Sequence, residues 1–235
     1  MKFEIELHPI QSKILKDLSI LSVARFSDLN TAQVPTDQFS FHIKRLINLD
    51  LVTKNEQGQY ELTVVGKEFI GRLDPILLSV EKQAKICVAL LCTKKDQNGE
   101  VLYLVHHRLR EPFFNTFGPI IRKIKWGESS SEAAERVLFE FSGLKGTFTT
   151  SGVVHKSDRL VEGGPIVQDT FLYFCTCENP VGELIEDIGE GRNLWMTRDE
   201  FLELERNFEC IEEILEKVDT KQHWILEIND ITKLF

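Results

Sequence analysis

Along residues 9–21 (PIQSKILKDLSIL) apolar side chains recur at Ile10, Ile14, Leu18 and Leu21 behind a proline suited to a first helical turn, which predicts an amphipathic helix. A shorter helical segment follows, with Ser27 as its expected cap before Asp28 and Leu29. Pro35-Thr36-Asp37 then opens a third helix whose Phe39, Ile43, Leu46 and Ile47 share one face. After residue 50 the period changes. Residues 51–54 and 59–63 read as two strands around the turn Asn55-Glu56-Gln57-Gly58. Three helices and a hairpin in that order predict a winged helix-turn-helix.

Residues 71–83 (GRLDPILLSVEKQ) join this module to the rest, and the apolar Ile76, Leu77 and Val80 predict a connecting helix broken near Pro75. From Ile86 the texture is that of strands: ICVALLC, a turn at residues 96–99, VLYLV, and then a loop as far as Trp126. SSSEAAERVLFEFSGL reads as one helix, with Ser129 and Glu132 as its capping box and Gly143 as its stop. Strands at about 148–155 and 169–177 and a helix at about 198–218 complete the pattern. The tail 222–235 is too apolar to float free, so it packs on its own domain or on a second subunit. The expected class is α+β: a winged helix-turn-helix at 1–73, a connecting helix or linker at 74–84, a mixed-sheet α/β/α domain at 85–218, and a packed or dimer-forming tail at 219–235.

The longest unbroken apolar run, Ile86 to Cys92, is far short of the ~20 residues that span a bilayer, and MKFEIELHPI lacks the apolar stretch of a signal peptide. A cytoplasmic chain with no membrane contact is the expectation. Five cysteines without a CxxC pair point to buried thiols, not to a disulfide framework or a zinc site; Cys175 and Cys177 share one face of a strand. The net charge of −9 is unevenly spread: residues 1–80 hold 9 Lys/Arg and 10 Asp/Glu, while 183–216 alone hold 12 acids and 3 bases. That acidic segment repels phosphate, so any nucleic-acid contact falls in the first 80 residues.

The run FSFHIKRLINLDLV, a hairpin ending in YELT and the segment GKEFIGRL resemble the winged helix of small transcription regulators of the MarR and ArsR kind, over about 65 residues. Double-stranded DNA is the partner this implies. On the third helix the face opposite the core stripe carries Gln38, Phe41, Lys44, Arg45 and Asn48, which have the chemistry to pair with adenine and guanine edges and to touch a thymine methyl. Lys54 on the wing is placed for a phosphate. A solvated polar face in a module kept for dimerisation is the plainer alternative.

The stretch from Arg122 to Leu144 (RKIKWGESSSEAAERVLFEFSGL) resembles the Nudix box, and the likeness extends over roughly residues 85–217 through VLYLVHHRLREPFFNTFGP and NLWMTRDEFLEL. Of nine fixed positions, six match, at Glu128, Arg136, Leu138, Glu140, Gly143 and Leu144. Three depart: Arg122 stands for the leading glycine, and Val137 and Phe141 stand for glutamates. In active members these helix glutamates hold divalent cations, work for which hydrocarbon is unfit. Ala133, Val137 and Phe141, four apart, should present methyls and a ring where the family presents carboxylates. The expectation is therefore no metal site, no cofactor and no catalytic residue, with Glu128, Arg136 and Glu140 as remnants. Glu132, Arg136 and Glu140 are also spaced for a charge ladder, and the resemblance allows Glu128 to cap or brace the loop against Arg136.

The fold without its catalysis still implies a pocket. His107, Arg108, Arg110, Arg122 and Lys123 are the expected ligand contacts for a phosphorylated or nucleotide-like molecule; for the His106-His107 pair, a strand end with one ring in and one out is the equal alternative to ligand binding. Phe113, Phe114 and Phe117 are expected in the core, with stacking on a base as the alternative. Nudix-related transcription regulators join the same two modules, though with the DNA-binding part second. The reading is a ligand-sensing, homodimeric DNA-binding regulator; the alternative is a hydrolase of nucleoside diphosphate-linked substrates, using Mg or Mn and a loop acid such as Glu178 or Glu183.

Overall fold

His8 and Pro9 start the first helix, α1 (Pro9–Leu21), of a computed structural model that describes residues 7–72 and 82–233. The His8 ring Nδ1 accepts the Ile10 N–H at 3.2 Å, and the Gln11 side chain accepts the His8 N–H at 2.9 Å, so two donors of the first turn are satisfied. The chain continues through β1 (Val23–Ala24), α2 (Phe26–Leu29), α3 (Thr36–Asn48), β2 (Val52–Lys54), β3 (Tyr60–Leu62) and α4 (Val64–Ile70). The three strands form an antiparallel sheet in the order β1-β3-β2. Ile14, Leu15, Leu18, Phe39, Ile43 and Leu46 build the core.

Two expectations for this unit need correction. Ser27 lies inside α2, whose first turn is instead closed by the Asp28 carboxylate, which accepts the Arg25 N–H at 2.8 Å. Ile47 is 38% exposed, and the buried stripe of α3 extends at its opposite edge to His42, which is stacked on His8 at 4.3 Å. The expected connecting helix falls on residues 74–81, outside the described residues, and residues 82–84 are irregular.

The chain divides into two units, Met1–Lys82 and Gln83–Phe235. The second is built on β4 (Lys85–Lys95), β5 (Val101–Arg108), β6 (Thr116–Gly118), β7 (Ile120–Lys123), β8 (Thr149–Arg159), β9 (Ile166–Glu178), β10 (Gly191–Thr197) and β11 (Trp224–Ile231). The sheet order is β10-β5-β4-β9-β8-β11; β6 joins β5 and β7 joins β4. Pairings β4–β9 and β8–β11 are parallel and the others antiparallel, so the sheet is mixed. Helix α5 (Ser130–Ser142) covers one face through Ala133, Ala134, Val137 and Leu138. Helices α6 (Arg198–Leu202) and α7 (Ile211–Asp219) cover the other through Phe201, Ile211, Ile214 and Leu215.

The single helix expected at 198–218 is thus two, separated by residues 203–210, and the expected loop before Trp126 contains β6 and β7. The tail is not a separate segment either: β11 is the edge strand of the sheet, with Trp224, Leu226 and Ile228 packed on the core. Gly152 on β8 makes room for the Trp224 ring, whose atoms would stand 2.2–2.5 Å from a Cβ there. His155 on β8 ties the edge down, pairing through Nδ1 with Glu227 of β11 at 2.7 Å and through Nε2 with Asp169 of β9 at 2.8 Å.

Burial disfavours the His155 imidazolium, but its two carboxylate partners outweigh that and raise it above 6.5. This clamp therefore stabilises fully below pH 6.5 and fades as pH rises through the raised value. An NMR titration should find His155 protonating above 6.5, with the protection factors of the β11 amides, corrected for intrinsic exchange, falling at higher pH. A His155 titration at or below 6.5 would dismiss the clamp.

Candidate functional site

Helix α5 is fixed at both ends by its own sequence. The Ser129 hydroxyl accepts the Glu132 N–H while the Glu132 carboxylate accepts the Ser129 N–H at 2.9 Å, and Gly143 closes the helix in the left-handed region at φ 73°. Glu132 is therefore spent on the cap, and the ladder expected of Glu132, Arg136 and Glu140 is reduced to one rung, Arg136 to Glu140 at 3.0 Å. Arg136 also pairs two-pronged with Glu128, its Nη2 donating at 2.8 Å, and holds the Lys123 carbonyl at 3.2 Å. The Arg136 guanidinium beside Glu128 draws that carboxyl down to about 2. Glu128 and Arg136 thus brace the loop before α5 against β7.

Val137 is fully buried in the core with Ala133, so of the three apolar residues expected to face the site only Phe141 does. Its ring lies under the Arg122 guanidinium at 3.9 Å. Arg122 pairs in turn with Glu190, which Arg110 shares at 2.8 Å. A divalent cation needs several hard oxygen ligands converging on one point. Among the described residues no three His, Cys, Asp or Glu side chains do so, and a ring stacked on a guanidinium occupies the helix face in question. These residues do not fit the metal that the fold implies.

A cavity of about 570 Å³ opens beside this helix. Arg108, Arg110, Arg122, Lys123, Arg136, Glu140 and Phe141 line it, and so do Lys85, His106, Lys156, Asp158, Thr170 and Glu209. Eight of its lining residues are Lys or Arg and three are Asp or Glu, in a chain of net charge −9. Cationic lining in an acidic protein favours an anionic occupant.

The second feature is a set of buried polar atoms without hydrogen-bond partners among the described residues. Arg122 Nε, His106 Nε2, Asp158 Oδ2 and Thr170 Oγ1 are all in this condition, and all four residues line the cavity. A buried polar atom left unpaired costs roughly 1–3 kcal/mol, so such a cluster calls for a ligand or ordered water.

His106 shows how its atom is kept bare. Asn193 Nδ2 donates to the carbonyls of Phe141 at 2.7 Å and Ile185 at 2.8 Å, which turns its Oδ1 toward His106 Nδ1 at 3.0 Å. That assignment puts the ring proton on Nδ1 and leaves Nε2 as an acceptor. Burial, opposed by the Asn193 hydrogen bond and aided by the charges of Arg122 and Arg108, lowers the imidazole to about 4.

Gly191 makes the geometry possible, since a Cβ there would lie 2.4 Å from His106 Cε1 and 2.7 Å from the His107 carbonyl oxygen. Gly191→Ala should displace the ring, break the Asn193 bond and lower stability by about 2 kcal/mol, within the usual range for overpacking. Urea unfolding measures the loss, and an NMR titration should show His106 moving up from about 4 toward 6.5; an unshifted His106 would show that the ring had not moved.

At the far end of the cavity, the buried Lys156 ammonium lies between two carboxylates, paired with Asp158 and with Glu209 Oε2 at 2.7 Å. Glu209 Oε1 accepts the Thr232 hydroxyl at 3.0 Å, so the orphan of this group is on Asp158. Burial pushes the Asp158 carboxyl up, with Lys156 pulling it back. Burial also opposes the Lys156 charge, but its two carboxylates prevail and raise it.

Of the expected ligand contacts, Arg108, Arg110, Arg122 and Lys123 line the cavity and His107 does not. His107 stacks on Phe117 at 4.1 Å and bonds Asn115 at 2.8 Å, while His106 points inward. Arg108 spends its guanidinium on the carbonyls of Arg110, Glu111 and Pro112 and shapes the loop. Phe117 packs against the core, as expected, and also lines the cavity together with Phe113, whereas Phe114 is 48% exposed and departs from the expected core placement. Glu178 and Glu183 are not among the lining residues, which leaves the expected replacement acids out. Lys156, Asp158 and Glu209 escaped the sequence reading, although VVHKSD carries a signal: Val154, Lys156 and Asp158 share one face of a strand, two charges in line with a core residue. On α3, Gln38, Phe41, Lys44, Arg45 and Asn48 are all exposed, and Lys54 lies over the Tyr60 ring at 5.5 Å.

No family model matches the sequence, and no curated protein does. Among solved structures, the Nudix domain of Shewanella oneidensis NrtR, complexed with ADP ribose, superposes with a TM-score of 0.52 at 15% identity, covering 68% of this chain and 99% of that one. The chain has a Nudix fold. Weaker likenesses are to a mutator MutT protein from Bacillus halodurans (TM-score 0.48, 18% identity, 64% of this chain and 93% of that) and to Shewanella oneidensis NrtR (0.45, 14%, 58% and 63%). In this Nudix fold the box helix is α5, and the cavity lies against its Glu140 and Phe141 edge.

Proposed function

We propose that this chain is a DNA-binding transcription regulator whose Nudix unit senses a phosphorylated, nucleotide-like metabolite without hydrolysing it. The observation that carries the reading is the cationic cavity beside a helix whose Phe141 is stacked on Arg122. Such a site holds phosphate oxygens by charge and by the orphaned Arg122 N–H, and offers no carboxylate set for a cation and its activated water. The ADP ribose in the Shewanella NrtR domain makes that molecule the first ligand to try. For the DNA side, support comes from α3, whose exposed Gln38, Arg45 and Asn48 offer base-pairing chemistry beside Lys44. A homodimer suits the reading, because operator halves are read in pairs.

Mass spectrometry of small molecules that co-purify with the chain, followed by gel-shift assays on its own promoter with and without the hit or ADP ribose, tests both halves. Lys44→Ala with Arg45→Ala should weaken DNA retention at least tenfold and flatten its salt slope by about 1–2. An unchanged shift would remove DNA from the reading. Glu140 at the cavity wall keeps a second reading in view, a hydrolase of nucleoside diphosphate-linked substrates. Turnover of a substrate panel with magnesium or manganese that Glu140→Gln abolishes would replace the sensor with that enzyme.

A further inference from the structure

The Lys156 end of the cavity has a chemistry of its own. Lys156, Asp158 and Thr170 are each less than 5% exposed, and Lys156 on β8 stands directly opposite Thr170 on β9, which is level with Lys85 on β4. Asp158 Oδ2 and Thr170 Oγ1 lack partners among the described residues, although burying them so costs stability. The end is ill suited to phosphate, since Asp158 and Glu209 repel it. A metal ion is equally ill served, because the Lys156 ammonium already fills the space between the two carboxylates. An amine cation would meet the positive lining of the rest of the cavity. What remains is a neutral group that donates to a carboxylate oxygen and both donates to and accepts from a hydroxyl. Adjacent sugar hydroxyls do this.

We propose that Asp158, paired with Lys156, and the neighbouring Thr170 form a subsite for the vicinal hydroxyls of the sugar in a phosphorylated ligand. This rests on the anion-binding reading of the cavity and adds the sugar to it. The spacing suits the assignment. Thr170 is paired with Lys85 on β4, and Lys123, opposite Cys87, stands two residues or about 7 Å further along the same face of that strand. A pentose phosphate anchored on Thr170 therefore reaches a cation at Lys85 or Lys123.

The test is calorimetry on the full chain with three probes: pyrophosphate, ribose 5-phosphate and 2-deoxyribose 5-phosphate. Thr170→Val serves as the variant because it removes only an unpartnered hydroxyl and should leave the fold as stable as before or more so. The native chain should prefer the ribose compound by about tenfold, the worth of one buried hydrogen bond. Thr170→Val should lose that preference and keep its pyrophosphate affinity within about twofold. If all three probes bind without a ribose preference, or the variant retains the preference, the sugar subsite is overturned while the anion site stands. If none of the three binds, the anion reading falls and the subsite falls with it.

Discussion

Lys156→Met is expected to lose about 3–5 kcal/mol of stability at neutral pH, the range seen when one partner of a buried ion pair is removed. The substitution keeps an unbranched chain of similar length and takes away only the charge. Asp158, 1% exposed and with one oxygen already unpaired, is then left as an uncompensated buried anion. Glu209 suffers less, because it keeps the Thr232 hydroxyl and more solvent. Without the ammonium, burial, helped by the charges of Glu209 and Asp230, raises Asp158 further than in the native chain. A carboxyl raised on folding is stabilising to protonate. The deficit of the variant should therefore shrink as pH falls below the raised value and vanish below about 3.9, the value in the unfolded chain. Urea unfolding at several pH values measures it, and a deficit that stays constant from pH 7 to pH 4 would show that Asp158 is not a buried charge. Adding Asp158→Leu should recover most of the loss, since a pair replaced by hydrocarbon leaves nothing unpaired.

The same cluster shows what the sequence could and could not disclose. Where a face is buried, its period is written in the chain. The 3.6-residue recurrence at Ile14 and Leu18, the capping box of Ser129 and Glu132, and the apolar run of β4 were each legible because each is a local solution to a local need. Elements that depend on distant partners were not. Strand β7 is four residues long, and its pairing with β4 spans more than thirty positions. Strand β11 lies parallel to a strand some seventy residues earlier. The break between α6 and α7 has neither Gly nor Pro to mark it and turns at Cys210, whose φ of 66° no residue-type rule foretells.

The site divides the same way. The resemblance to the Nudix box picked out Glu128, Arg136, Glu140 and Phe141, and the brace of Glu128 on Arg136 that it allows is present. Val137, by contrast, was assigned to the site face and lies in the core. Which of His106 and His107 turns inward depends on the register of β5 against β10, which sets Asn193 beside His106. Glu190, which holds two arginines, comes from the acidic segment read as a phosphate-repelling face. There it neutralises Arg110 and Arg122 in part and keeps their side chains in place. Net charge by segment therefore misjudged the cavity, because charges from separate segments meet only after folding.

Arg122→Ala is expected to weaken binding of pyrophosphate or ADP ribose by about 10–150-fold, the worth of one charge-assisted hydrogen bond. Arg122 is the cavity's central cation. Its side chain is 9% exposed, it stacks on Phe141, it donates to the Ile121 carbonyl at 2.8 Å, and its Nε–H has no partner. Burial lowers its pKa, opposed by Glu190, yet a guanidinium remains charged at any working pH. Removing it deprives an anion of its best-oriented donor and leaves Glu190, now paired only with Arg110, to repel the same anion. Arg122→Lys separates the two effects: it keeps the charge opposite Glu190 but loses the planar stack and the Nε donor, so it should recover only part of the affinity. Calorimetry gives the affinities, and urea unfolding shows whether the fold survives each change. Native affinity in Arg122→Ala would mean that phosphate sits elsewhere, and the stacked arginine would then be a structural substitute for the glycine usual at that position of the Nudix box.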